Sequence, residues 1–182
     1  MKKILLIIFI IILILSINVL AVDIYVGSPA IDRGTVRVSG STYVDYATAN
    51  ETGTITQVQI YPVAGQDLVN CEIAIFYVPG ADPDNLTTRD TEFIGAVVGG
   101  AVRTFDVDLD VEAGDYIGIY FTGGELETDT SGFLGVFYKA GDQIPCDDVD
   151  FGQMAGDALS VYGIGTTTKE EAINSLFFGT NF

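Results

Sequence analysis

Twenty-five carboxylates and no histidine set the limits of what chemistry this 182-residue chain can do. Without an imidazole there is no histidine-based triad, no histidine general base and none of the usual zinc sites. Two cysteines cannot form a four-thiolate zinc site. Neither a phosphate-cradling glycine loop nor a nucleophile elbow occurs. A pair of carboxylates is the machinery of a glycoside hydrolase, but 25 candidates single out no pair, and tryptophan, common in sugar clefts, is absent. No catalytic residue is assigned, and the chain reads as a non-enzyme.

Carboxylates in clusters also serve hard cations, and calcium has two candidate positions. Glu127, Asp129 and Ser131 place oxygen donors at alternate positions before Gly132. The loop is no EF-hand, because Glu stands first and Tyr138 occupies the twelfth position, where a bidentate Glu belongs. Asp147, Asp148 and Asp150 form a second acidic turn just after Cys146. Either set is equally an ordinary acidic turn. Cys71 and Cys146 are an even pair, which in an exported protein points to one disulfide. Two buried free thiols are the alternative. Tyr116 and Tyr120 flank Gly118 on one strand face. There they form either a ring platform for a sugar or part of a core. Asn50-Glu51-Thr52 and Asn85-Leu86-Thr87 match glycosylation acceptors.

The elements that must carry these groups are strands. From Phe105 to Val111 apolar residues alternate strictly with Asp106, Asp108 and Asp110. That is the period of a half-buried strand, and aspartates on its solvent face deter unwanted strand pairing. In the next run Ile117, Ile119 and Phe121 share one face. Further strands are expected at 24–26, 35–38, 42–47, 54–63, 71–78, 133–138 and 158–162, with Val58 and Ile60 on one face and Cys71, Ile73, Ile75 and Tyr77 on another. Residues 79–85 read as a long turn. Such spacing without helical periodicity predicts an all-β antiparallel sandwich, jelly-roll or similar Greek key.

The run Gly114-Asp115-Tyr116-Ile117-Gly118-Ile119-Tyr120-Phe121, with Asp129-Thr130-Ser131-Gly132 and Gly141-Asp142-Gln143-Ile144-Pro145-Cys146, resembles small jelly-roll-type domains of bacterial, archaeal and phage surface proteins. The resemblance covers residues 22–165. It implies a domain that binds glycans, adheres or builds extracellular assemblies, and it brings no functional residue with it.

The termini define the expected setting. Lys2 and Lys3, the apolar run from Ile4 to Leu15 and small residues before position 22 form a secretory signal peptide over 1–21. An uncleaved anchor is the competing reading, since 17 residues from Ile4 to Leu20 is the lower limit for a bilayer span. A β-sandwich domain over 22–165 and a C-terminal tail over 166–182 follow. In the tail Thr168 to Glu171 matches a capping box that opens a short helix from Lys169 to Phe177. After cleavage six basic residues face 25 acidic ones, a net charge of −19. Such a field disfavours nucleic acid and anionic membranes as partners. The expectation is a secreted or cell-surface module that binds surface glycans through its tyrosines or assembles with copies of itself, with calcium as a potential bridge.

Overall fold

The computed structural model describes residues 21–167. The signal peptide and the C-terminal helix expected from the sequence lie outside these residues. Among the described residues there are fourteen strands: β1 Asp23–Gly27, β2 Thr35–Val38, β3 Ser41–Asp45, β4 Gly53–Ile60, β5 Leu68–Tyr77, β6 Asn85–Val97, β7 Arg103–Val111, β8 Tyr116–Tyr120, β9 Glu125–Asp129, β10 Val136–Ala140, β11 Val149–Asp150, β12 Gly152–Met154, β13 Ala158–Leu159 and β14 Val161–Thr167. Every ladder between them is antiparallel. β14 takes in Thr166 and Thr167, so the folded domain runs past the expected boundary at residue 165.

The order of strands gives the architecture. One sheet runs β1-β14-β4-β7, and a seven-stranded sheet runs β11-β6-β5-β8-β3-β10-β12. Labelling β1, β3 to β8 and β14 as B to I gives sheets B-I-D-G and C-H-E-F, the arrangement of a jelly roll. The connection between β8 and β14 carries five extra strands. Within it β9 lies between β13 and β2 in a three-stranded sheet. That sheet is tied to the segment after β4 by Glu127 N–H donating to Tyr61 O (3.2 Å) and Val63 N–H donating to Glu125 O (2.9 Å).

The main core lies between the two large sheets. The alternation in β7 sends Leu109 and Val111 inward and leaves Asp106, Asp108 and Asp110 exposed. Ile24, Ile55, Val58, Ile60, Cys71, Ile73, Ile75, Ile117, Ile119 and Phe121 complete the same cluster. Each fully buried side chain of this size contributes about 1.5–3 kcal/mol. A second, smaller core covers the other face of the seven-stranded sheet. Val44, Ala74, Phe76 and Leu86 project there, and residues 141–151 cross over them as a strap that contributes Ile144 and Phe151. The strap is pinned to β6 by Thr88 N–H donating to Cys146 O (3.0 Å) and Cys146 N–H donating to Thr88 Oγ1 (2.9 Å).

Two cores on opposite faces of one sheet correct the disulfide expected between Cys71 and Cys146. Cys71 points from β5 into the main core, whereas Cys146 sits in the strap against the second core. The sheet stands between them, and both thiols are free.

Candidate functional site

The three-stranded sheet positions the most distinctive cluster in the molecule. Glu127 and Asp129 fall two residues apart on β9 and share its outer face. Arg33, on the β1–β2 connection, lies over that face. Its guanidinium donates to Asp129 Oδ2 (2.6 Å), Ser160 Oγ (2.8 Å) and Pro29 O (2.9 Å). Its backbone N–H donates to Glu127 Oε2 (3.1 Å). The Arg33 side chain is only 1% exposed. Burial, followed by the neighbouring carboxylates Asp32, Asp129 and Glu125, holds the Glu127 carboxyl above its ordinary range. Nearby, Arg37 pairs with the buried Asp157.

Above Arg33 stands a loop tip. Its guanidinium carbon lies 5.0 Å from the ring centroid of Phe133, a cation–π arrangement. Phe133 N–H donates to Gly156 O and Gly135 N–H to Asp157 O (3.1 Å each), while Gly135 O accepts from Tyr46 N–H (3.0 Å). Gly132 takes the left-handed backbone (φ +89) that turns the chain into the loop. Thus anchored, Phe133 remains 45% and Leu134 72% exposed. Between the tip and the body lies a cleft of about 340 Å³, lined by Ser28, Asp45, Ala47, Gly132, Phe133 and Leu134.

The polar groups of the cleft are committed to the fold. Asp45 Oδ1 accepts from Ser28 Oγ–H (3.1 Å) and Ala47 N–H (2.9 Å), and Oδ2 accepts from Leu159 N–H (2.9 Å). Burial raises the Asp45 carboxyl against the opposing pull of these donors and of Arg33. Asp45 therefore ties β3 to β13, and the Ser28 hydroxyl is its donor. The cleft offers a shaped apolar wall beside a satisfied carboxylate.

Three further apolar side chains are exposed on or beside the three-stranded sheet. Val36 stands opposite Glu127, and Val38 opposite Glu125, in the β2–β9 register. Both are exposed, as is Ile31, two residues before Arg33. β2 pairs only with β9, so its other edge is open among the described residues.

The residues singled out from the sequence fall elsewhere or serve otherwise. Glu127 and Asp129 are strand residues wrapped on Arg33, while Ser131 is in the exposed bend beyond β9. Thr87 Oγ–H donates to Asp147 (3.4 Å), Asn85 Nδ2 donates to Asp148 (3.0 Å), and the Asp150 carbonyl accepts from Lys139 Nζ (2.7 Å). These contacts fasten the strap. Among the described residues no three His, Cys, Asp or Glu side chains gather as a metal-ligand group. On β9 the Glu127 and Asp129 carboxylates are already engaged by the backbone N–H and the guanidinium of Arg33.

Of the two readings of Tyr116 and Tyr120, ring platform or core, the packing around Gly118 favours core. A Cβ at Gly118 would come within 2.6 Å of Phe76 Cε2 and 2.8 Å of Val44 Cγ2. The space between the two rings is therefore occupied by the second core. Tyr116 packs edge-on against Phe137 (5.5 Å) and near Tyr46 (6.4 Å). The acceptor-motif Asn50 spends its side chain on Tyr25 N–H and Asp23 O. Arg33 and the 133–134 tip were missed in the sequence. The only local signal was the glycine bracket Gly132-Phe133-Leu134-Gly135 around two apolar residues. No protein-family model and no curated protein matches the chain.

Proposed function

We propose that this chain is an exported, non-catalytic surface module that works by binding or self-assembly, with the outer face of the three-stranded sheet as its contact surface. The observation that carries the reading is the anchored, exposed Phe133–Leu134 tip. Apolar side chains held out by a rigid backbone forgo their burial in the monomer. Burial by a partner would recover it, and little chain entropy would be lost on contact. Ile31, Val36 and Val38 add exposed apolar side chains on or beside the same sheet, and the open edge of β2 provides unpaired backbone groups for strand addition. With Arg33 neutralised by its carboxylates, the contact is hydrophobic rather than ionic.

Self-assembly fits this surface better than a charged partner does. A protein of net charge −19 repels its own copies, so association should strengthen as salt shortens the Debye length to about 8 Å at physiological strength. The test is native sizing and electron microscopy of the mature protein beside a Phe133→Ser/Leu134→Ser variant. Oligomers or polymers in the wild type, lost in a variant that melts at the same temperature, support the proposal. Identical monomers in both, over the full concentration range, exclude assembly through this tip.

A further inference from the structure

The outer face of the four-stranded sheet carries a second pattern, separate from the loop tip. Register places Tyr25, Ile164, Gln57 and Asp106 in one row across β1, β14, β4 and β7. The adjacent row holds Gly27, Tyr162, Gln59 and Thr104. All of these positions are exposed or half-buried. Tyr25 and Tyr162 lie diagonally across the two rows, with ring planes 11° from parallel and centroids 5.8 Å apart. Tyr25 is 41% exposed and Tyr162 is half-buried, so the pair leaves ring surface open to solvent. Aspartates border the face, Asp23 on one side and Asp106, Asp108 and Asp110 on the other.

We infer that this face binds a neutral polysaccharide chain. The weakly positive C–H face of a sugar ring suits the negative face of an aromatic ring. The two tyrosines offer such a surface in a common orientation. Gln57, Gln59 and Thr104 continue the rows with amide and hydroxyl groups that can both donate and accept, as sugar hydroxyls require. Four strands about 4.8 Å apart give a track of about 14 Å, long enough for a short stretch of polymer. The bordering aspartates repel polyanions and leave uncharged chains unaffected. Three apolar side chains among amides and hydroxyls do not make the continuous apolar centre of a stable protein interface.

The test is affinity electrophoresis of the mature protein in gels containing hydroxyethyl cellulose, glucomannan or arabinoxylan, with alginate as the polyanion. The expected result is retardation by at least one neutral polymer and none by alginate. Tyr25→Ala and Tyr162→Ala should each weaken that retardation about tenfold, the equivalent of one lost stacking contact. Gln59→Ala should weaken it less, and Tyr25→Phe should retain it. Unchanged circular dichroism spectra exclude misfolding as the cause. Free migration in all three neutral polymers overturns the inference, and so does binding that survives both tyrosine-to-alanine changes. A loss caused by Phe133→Ser/Leu134→Ser alone would place sugar binding at the tip and equally overturn it.

Discussion

Replacing Arg33 with Met removes the charge at the centre of the contact surface while keeping much of the apolar stem. The guanidinium gives three hydrogen bonds and a ring contact, and its side chain is almost wholly buried. Breaking a buried pair by deleting one partner costs about 3–5 kcal/mol, mostly because the other charge is left uncompensated. Asp129 is 32% exposed. Water screens the carboxylate left behind, so the lower end applies, about 3 kcal/mol. For a domain of this size that lowers Tm by about 6–12 °C. The deficit should also depend on pH. Asp45 is already held above its ordinary range by burial, and the Arg33 charge opposes that rise. A carboxyl with a raised folded pKa destabilises above that value, and the penalty fades as pH falls through it. Without Arg33 the penalty at neutral pH grows, so variant and wild type should differ most near pH 7 and converge toward about pH 4. Thermal melts by circular dichroism at both pH values measure this directly. A loss under about 2 °C at pH 7, or a gap that stays constant down to pH 4, would refute the reasoning.

Other perturbations follow from the two cores. Gly118→Ala forces a methyl against Phe76, Val44 and the Tyr43 carbonyl; it should cost about 1–3 kcal/mol in chemical denaturation, and an unchanged midpoint would show the second core to be loose. Unreduced protein should give two free thiols on labelling in denaturant. In the native state Cys71 should stay unreactive, and Cys146, half-buried with its thiol raised by burial, should react slowly; no free thiols in denaturant would mean that the cysteines are bridged after all. Among the described residues the buried Tyr46 hydroxyl has no hydrogen-bond partner, and burial, helped by Asp84 and Tyr116, pushes its pKa up to about 12. Tyr46→Phe should therefore be neutral or stabilising by up to about 1 kcal/mol, and a clear drop in Tm would reveal a missing partner.

The fold was legible where one face of a strand is buried and the other wet. β7 is of this kind, and its faces were read correctly from period two; β8 is covered on both sides, but Ile117 and Ile119 were still placed together on the main-core face. β6, the longest strand, was missed. Its residues are half-buried on both faces, and three register shifts against β5 blur the alternation. β9 was taken for a loop because Glu127 and Asp129 looked like cation donors, and nothing nearby in the chain showed that Arg33, 94 residues before Glu127, would lie over them. The packing of Tyr116 and Tyr120 was hidden for a related reason. Alternation put Tyr116 and Tyr120 on one face correctly, but the strap and the Phe76 ring that cover it come from distant segments. The cysteine count could not reveal that the two thiols lie on opposite sides of a sheet.

The claim that the exposed tip is a contact surface meets its most direct test in sedimentation velocity. Mature wild type and Leu134→Asp should be compared over protein concentration at low and at physiological salt. The account predicts that the wild type sediments faster as concentration and salt rise, while Leu134→Asp stays a single slow species with unchanged melting. One concentration-independent species for the wild type at every salt, indistinguishable from the variant, would contradict it.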